Sequence, residues 1–216
     1  MISVSQAISD ILQSDEVALE AMRAGLLNLS AYAKTIQKTV EKTTFKDVQK
    51  GTIVVALSRL AKNVKSLATP LKPEVLVTDL SIKSSLGALT YEKTADIQRK
   101  IAVLSPFQLT TSDIFTITEG PTEITLIIAE KAKDKVIKEF KTKAKSQVDD
   151  LVAVTVQYKE ELANTANLHF ALLSGLAAKR IHIIEIVSTF TETTFVVKRE
   201  DMEKTINVLN IYFHKK

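Results

Sequence analysis

Hydrophobic and polar residues follow two different rhythms along this chain. Over residues 3–66 apolar positions recur every three or four residues, which is the spacing of amphipathic helices. From residue 74 onward, segments that alternate apolar and polar residues, typical of half-buried strands, are separated by further helical segments. The pattern therefore predicts a helical N-terminal part followed by a mixed part of strands and helices.

Four helices are predicted in the N-terminal part. The first spans residues 4–12; Asp15 caps the second, which runs toward a terminator at Gly25. Asn28 or Ser30 caps the third helix. The fourth lies within residues 48–64, and its predicted buried stripe consists of Ile53, Val54, Leu57 and Leu60.

The third and fourth helices together resemble a helix-turn-helix, although their connection is looser than the usual tight turn. Residues 23–72 hold ten Lys/Arg against two Asp/Glu, so the net charge of +4 arises in this part of the chain. This predicts contact with an anionic partner such as DNA; a solvated basic face is the alternative. The predicted nucleic-acid-binding residues are Lys34, Lys38, Lys42, Lys50, Thr52, Ser58, Arg59 and Lys62.

A repeat with a spacing of 69 residues organises the remainder. Segments 113–140 and 182–209 both follow the order strand, turn, strand, helix. A strand and a helix precede each of them, which gives the ferredoxin-like order strand-helix-strand-strand-helix twice. Residues 150–159 could close the first copy or open the second, so strand sharing stays open. Identical pairs are Ile114/Ile183, Ile117/Ile186, Glu123/Glu192, Thr125/Thr194, Lys135/Lys204 and Ile137/Ile206.

Two prolines in ATPLKP, residues 68–73, predict an extended linker between the two parts. The predicted domains are a helix-turn-helix-like domain at 1–69, a linker at 70–73 and two repeat units at 74–145 and 146–216. The predicted class is α+β: an N-terminal helical bundle followed by two ferredoxin-like units.

The phrase EIVSTFTETTFVVKREDMEKTINVL within this tandem resembles the ACT domains at the C-terminal end of aspartate kinases. The N-terminal segments GLLNLSAYAKTIQKTVE and VQKGTIVVALSRL are similar to the front end of small ACT-containing proteins without a kinase domain. The resemblance implies regulation by a small effector, often an amino acid, bound where the first strand meets the first helix. A purely dimerising role for the ACT-like fold is the alternative.

The resemblance implies a ligand loop in each copy. In the second copy its positions are Tyr158, Lys159, Glu160, Glu161, Asn164, Thr165 and Asn167; in the first they are Glu92, Lys93 and Thr94. The loop departs from the family because it lacks the usual glycine. Glu160 and Glu161 would repel a carboxylate, but one of them could hold an ammonium group.

Other chemistry finds little support in the sequence. There is no cysteine, the five glycines are isolated, and His169, His182 and His214 share no metal-ligand spacing. The adjacent acids Glu200 and Asp201 fit a helix N-terminus. We therefore predict no catalytic residues, no metal and no cofactor. The N-terminus lacks the features of a secretory signal and no apolar run suits a membrane, which predicts a cytoplasmic protein.

These features predict a non-enzymatic regulator. Effector binding by the ACT-like units would set the spacing of the basic helices in a symmetric homodimer, and so their affinity for DNA. Two alternatives remain: a protein-interaction subunit that docks an enzyme, and a stand-alone regulatory subunit for an aspartate kinase.

Overall fold

The computed structural model describes residues 2–64, 72–107 and 114–213, except the side chains of 105–107, 114 and 115. The chain divides into two compact units. One comprises Met1–Glu74 with Thr165–Ala171, and the other comprises Val75–Asn164 with Leu172–Lys216. Both copies of the repeat lie in the second unit, which we call the sheet unit; the first is the helical unit.

The helical unit begins with four helices, and side-chain caps set the starts of the first three. Asp15 accepts a hydrogen bond from the N–H of Ala18 at 3.0 Å, and Asn28 does the same for Ala31 at 3.0 Å. Gly25 follows the second helix with a positive φ of 71°. The predicted caps at Asp15 and Asn28 are therefore present. The helices are α1 (Val4–Ser14), α2 (Glu16–Arg23), α3 (Leu29–Thr44) and α4 (Lys50–Lys62).

The turn between α3 and α4 is held by two polar side chains of α3. Gln37 Nε2 donates to the carbonyl of Val48 at 2.9 Å, and the Glu41 carboxylate accepts from Gln37 and from the N–H of Val48. Ile53 and Leu57 of α4 are fully buried in the core of this unit. The helix-turn-helix interpretation of this pair stays a prediction.

The sheet unit confirms the α+β prediction. Its described elements, with α8 beginning in the segment assigned to the helical unit, are β1 (Val77–Glu92), α5 (Ala95–Phe107), β2 (Ile114–Glu119), β3 (Glu123–Ala129), α6 (Glu130–Phe140), β4 (Ser146–Tyr158), α7 (Glu160–Ala163), α8 (Leu168–Ala178), β5 (Ile183–Ser188), β6 (Glu192–Lys198), a 3-10 turn (Arg199–Asp201) and α9 (Met202–Asn210). The strands form one antiparallel sheet in the order β2-β3-β1-β4-β6-β5.

The central strands β1 and β4 are shared by the two copies. β4 completes the ferredoxin-like order β2-β3-β1-β4 around the first copy, and β1 completes β5-β6-β4-β1 around the second. The segment at 150–159 therefore both closes the first copy and opens the second. After α9 the described chain continues as a turn through residue 213, without another strand.

Matching bulges bend the two central strands. Ser85 in β1 and Asp150 in β4 stand 65 positions apart and have positive φ values of 58° and 57°. The apolar–polar alternation of the sequence is interrupted at Lys83–Ser85, and the structure has a bulge there within a single bent strand. Equivalent residues of the two copies are 65 positions apart in these strands and 69 apart in the hairpins. The difference arises because the β4–β5 connection, which includes α7, is longer than the β1–β2 connection.

The sheet buries apolar side chains on both faces. Leu89, Leu126 and Val154 belong to the cores formed with the helices, while Leu86 and Val196 form a separate fully buried cluster on the opposite face. The outermost strands of a flat six-stranded sheet would lie about 24 Å apart. Here a Glu185 oxygen of β5 accepts a hydrogen bond from Thr118 of β2. A side chain of β2 thus reaches one of β5, although the two strands are the outermost of the sheet.

Candidate ligand and nucleic-acid surfaces

The predicted ligand loop of the second copy begins with a residue that is part of the core. The Tyr158 side chain is 3% exposed, and its hydroxyl lies 3.3 Å from Thr193 Oγ1. Lys159 occupies the N-cap position of α7, and Glu160 and Glu161 form its exposed first turn. The charged side chains of this loop thus face solvent, whereas the tyrosine supports the sheet. Sequence patterns gave no sign of the one-turn helix α7.

The remaining predicted positions are divided between the two units. Asn164 is exposed and ends α7 in the sheet unit, whereas Thr165 and Asn167 belong to the segment grouped with the helical unit. Asn167 has a positive φ of 67°, and its carbonyl accepts the N–H of Ala171 at 2.9 Å. The role of these residues in ligand binding stays a prediction.

The corresponding junction in the first copy is closed by an ion pair. Lys93 Nζ lies 2.7 Å from Glu119 Oε1 and donates to the carbonyl of Gly120 at 3.3 Å. Gln98 Nε2 donates to the same carboxylate at 2.9 Å, and Thr94 caps α5. The hydrogen bonds from Lys93 and Gln98 hold the pKa of Glu119 below its ordinary value.

Sequence reasoning missed Glu119 and Gln98. The available signal was the Gly120-Pro121 turn, which places Glu119 at the same end of the sheet as the end of β1. The neighbouring Glu92 remains outside this ion pair and lines an open pocket together with Thr122 and Lys145.

All eight predicted nucleic-acid-binding side chains are exposed: Lys34, Lys38, Lys42, Lys50, Thr52, Ser58, Arg59 and Lys62. On α3 the three lysines recur every four residues, opposite the buried stripe that contains Ile36 and Val40. On α4, Thr52, Ser58, Arg59 and Lys62 share the outward face. Lys50 lies elsewhere, because it is about 200° around the helix from Thr52.

The outward face of α4 is free of acidic residues and includes small and apolar ones. Gly51 has open space where a Cβ would lie, and Val55 is 52% exposed between Thr52 and Arg59. Helix α4 as a whole contains no Asp or Glu. A flat, cationic helix face of this kind suits close approach to a polyanion.

The described residues contain no group of three or more His, Cys, Asp or Glu able to hold a metal ion. His169 and His182 are both exposed, and His214 lies outside the described residues. No helix within the described ranges has the length and apolar character needed to cross a bilayer.

The sheet unit, with two copies that share their central strands, has an α+β, ACT-like fold. A scan of protein-family models and a search of curated protein sequences find no match. Similarity to solved structures carries the comparison instead, and it confirms an α+β, ACT-like fold for this unit.

Three solved structures illustrate the likeness. The regulatory subunit of aspartate kinase from Thermus thermophilus matches 64% of this chain and 99% of its own, with a TM-score of 0.55 and 11% identity. Aspartate kinase from Clostridium acetobutylicum matches 64% of this chain with a TM-score of 0.56 and 16% identity. Escherichia coli aspartokinase III, in complex with aspartate and ADP, matches 76% of this chain with a TM-score of 0.52 and 13% identity.

The extent of the match differs among these proteins. This chain covers 35% of the Clostridium enzyme and 42% of the Escherichia coli enzyme, but nearly all of the Thermus regulatory subunit. At these identities the likeness is one of fold.

Proposed function

We propose that this chain is a non-catalytic regulatory protein whose sheet unit senses a small effector. The observation that carries the proposal is the likeness of the sheet unit to a complete regulatory subunit, that of the Thermus aspartate kinase. The Clostridium neighbour is described as an allosteric enzyme, and the Escherichia coli neighbour contains aspartate. These properties support an amino acid as the effector class.

The loop at 158–167 offers groups that suit such a ligand. Lys159 and Asn164 supply donors for a carboxylate, while Glu160 and Glu161 supply acceptors for an ammonium group. The buried Tyr158 contributes only support for the strand.

A thermal-shift screen of the twenty amino acids tests the effector proposal. A ligand that binds the folded state raises the melting temperature by mass action. At a ligand concentration of 100 times Kd, the free energy of unfolding increases by about 2.7 kcal/mol. We expect a selective shift from one amino acid. Substitution of Asn164 and Asn167 by Ala tests the predicted loop, and Asn207→Ala, an exposed asparagine on α9, is the matched control. If none of the twenty shifts the melting temperature, amino-acid sensing is rejected.

DNA binding by the helical unit is a second proposed activity. The acid-free outward face of α4, with Arg59 and Lys62, supports this, as does the row of lysines on α3. In this proposal α4 lies in the major groove, and the lysines contact phosphates. The eight exposed residues, six of them cationic and two with hydroxyl groups, are sufficient for a modest, salt-sensitive affinity for DNA.

Fluorescence anisotropy with duplex DNA over a range of salt concentrations tests this activity. Loss of each phosphate contact lowers the slope of log K against log salt by about 0.9. Replacing Lys34, Lys38 and Lys42 by Ala should therefore reduce the slope by roughly 2–3 units in total. The control replaces three lysines of the sheet unit, Lys131, Lys135 and Lys138, which are also exposed. Equal losses in both variants would reject a specific role for α3.

A symmetric homodimer is the proposed assembly, because groove-reading helices work in two-fold pairs. Light scattering after size-exclusion chromatography measures the mass in solution. An effector response without DNA binding would favour the alternative function, a regulatory or interaction subunit for a metabolic enzyme such as an aspartate kinase.

A further inference from the structure

The turn between α3 and α4 carries the most exposed aromatic ring among the described side chains. Phe45 directly follows the last residue of α3 and is 90% exposed. It takes no part in the hydrophobic core to which the buried side chains of α3 and α4 belong. A phenylalanine left in water loses the stabilisation that burial of its ring would supply. The ring therefore contributes little to the packing of the helical unit.

The backbone at Phe45 is also unfavourable for this residue. Its φ of 54° and ψ of 37° lie in the left-handed region, which glycine adopts freely and a residue with a side chain adopts at a cost in energy. The turn itself is held by Gln37 and Glu41. The other described residues with positive φ are glycine or polar: Gly25, Ser85, Lys141, Asp150, Asn167 and Arg180. A phenylalanine where glycine would serve the fold indicates a role in binding.

Three lysines accompany the ring. Lys42 lies one helical turn before Phe45, Lys46 follows it directly, and Lys50 begins α4 after the turn. All three are exposed, and none has an ion pair or a side-chain hydrogen bond within the described ranges. Asp47 is the only acidic residue among them, so three positive charges meet one negative charge. We call Phe45 and these three lysines the Phe45 tip.

The lysines of α3 extend this positive charge away from the tip. Lys34, Lys38 and Lys42 recur every four residues, and each such step advances about 6 Å along the helix. The row ends at Phe45. A strand whose phosphates follow this row would therefore bring a base next to the exposed ring.

The isolation of the ring indicates which partner fits. Within residues 42–52 Phe45 is the only exposed large apolar side chain. Protein interfaces and membrane surfaces bury groups of apolar residues together. A single aromatic ring among cations suits a nucleic-acid strand instead, because each base has a flat face to stack and a phosphate beside it. Bases within a duplex are already stacked on one another, so an unpaired base offers that face most readily.

We propose that the Phe45 tip binds single-stranded nucleic acid, with an unpaired base stacked on Phe45 and the phosphates on the neighbouring lysines. The inference rests on the proposed DNA binding by the helical unit and adds a preference for an unpaired strand. It also gives a role to Lys50, which lies away from the outward face of α4 and would contact a phosphate next to the stacked base.

Fluorescence anisotropy of the full chain with labelled oligothymidylate, oligouridylate and an oligothymidylate–oligoadenylate duplex tests the proposal. Phe45→Gly removes the ring and suits the positive φ, so its melting temperature should be unchanged or higher. It should bind the single strand at least about fivefold more weakly. Phe45→Trp keeps an aromatic ring and should retain the affinity. Phe190→Ser, at an exposed phenylalanine between β5 and β6, is the matched control and should also retain it.

Salt dependence separates stacking from charge. Loss of one phosphate contact to a single strand lowers the slope of log K against log salt by about 0.7. Lys46→Ala should reduce the slope by this amount. Phe45→Gly should weaken binding at every salt concentration and leave the slope unchanged, because an uncharged ring releases no counterions.

The outcomes distinguish this inference from the broader proposal. An unchanged affinity of Phe45→Gly for the single strands, with the duplex still bound, would overturn the stacking role and leave duplex binding intact. Equal losses for single strands and duplex would overturn the preference for an unpaired base. Tighter binding of oligouridylate than of oligothymidylate would support the inference with RNA as the strand. Binding to phosphatidylserine–phosphatidylcholine vesicles but to none of the oligonucleotides would overturn both proposals.

Discussion

Tyr91 provides a sharp test of how the first copy is packed. Its side chain is fully buried among residues of β3, α5 and α6, with its ring centroid 5.0 Å from that of Phe140. Among the described residues its hydroxyl has no hydrogen-bond partner, and burial raises the pKa of the phenol. Tyr91→Phe removes the hydroxyl and keeps the aromatic ring.

The expected effect is a gain in stability. A buried hydroxyl without a partner costs about 1–3 kcal/mol, so we expect Tyr91→Phe to stabilise the sheet unit by about 1 kcal/mol. For a unit of roughly 135 residues this corresponds to a rise in melting temperature of about 3–5 °C. Urea unfolding followed by circular dichroism measures the free energy of unfolding, and an unchanged m-value ensures that the comparison is valid.

Tyr158 supplies the matched control at the end of β4. Its hydroxyl does have a partner, Thr193 Oγ1 at 3.3 Å, so Tyr158→Phe should lower stability by about 1 kcal/mol. Opposite signs for the two substitutions support the reasoning. A Tyr91→Phe chain less stable than the original would refute it, because the hydroxyl would then be making a favourable contact.

Three further predictions concern the sheet unit. Lys93 lowers the pKa of Glu119, so the ionised carboxylate stabilises the fold above about pH 4.5, and this contribution is lost as the pH falls through the folded-state pKa. Glu119→Gln should therefore lower the melting temperature at pH 7 but not at pH 3. Burial raises the pKa of Glu185, so the neutral carboxyl is tolerated at low pH and stability is lost as the pH rises through that pKa. Glu185→Gln should therefore raise the melting temperature at pH 8 but not at pH 4. In Gly175→Ala the new Cβ would lie 2.7 Å from Val208 Cγ1, and overpacking should cost roughly 1–3 kcal/mol.

Each of these predictions has a decisive contrary result. A stability difference for Glu119→Gln that persists at pH 3 would show that its effect is not electrostatic. A Glu185→Gln gain that is equal at both pH values would exclude ionisation as its cause. Val208→Ala should recover part of the loss in Gly175→Ala; additive effects would show that the two residues do not collide.

Local chemistry made much of the fold predictable from the sequence. The helix caps at Asp15 and Asn28 depend on a few neighbouring residues. The alternation of Ile124, Leu126 and Ile128 correctly predicts that these residues face the helices, since side chains on a strand alternate between its faces. These signals lie within single elements, and a sequence displays them directly.

Long-range pairing accounts for what the sequence did not decide. Whether β4 closes one copy or opens the other depends on partners in β1 and β6 that lie 35 to 81 positions away, and both arrangements satisfy its apolar pattern. The inward position of Tyr158 follows from that pairing, whereas the ion pair between Lys93 and Glu119 follows from the pairing of β3 with β1 and β2. The ligand roles of the loop at 158–167 and the DNA-binding role of α4 stay predictions.

The sharing of β1 and β4 by the two copies has an evolutionary consequence. Two separate identical copies could complete each other's sheet only as a two-fold dimer, in which every substitution appears twice. Joining them in one polypeptide makes the association independent of concentration and lets the halves diverge. Glu92 in one half, with Gln157 at the matching place in the other, is such a divergence. A fused chain can therefore evolve a single asymmetric site per sheet, which a symmetric pair of identical subunits cannot.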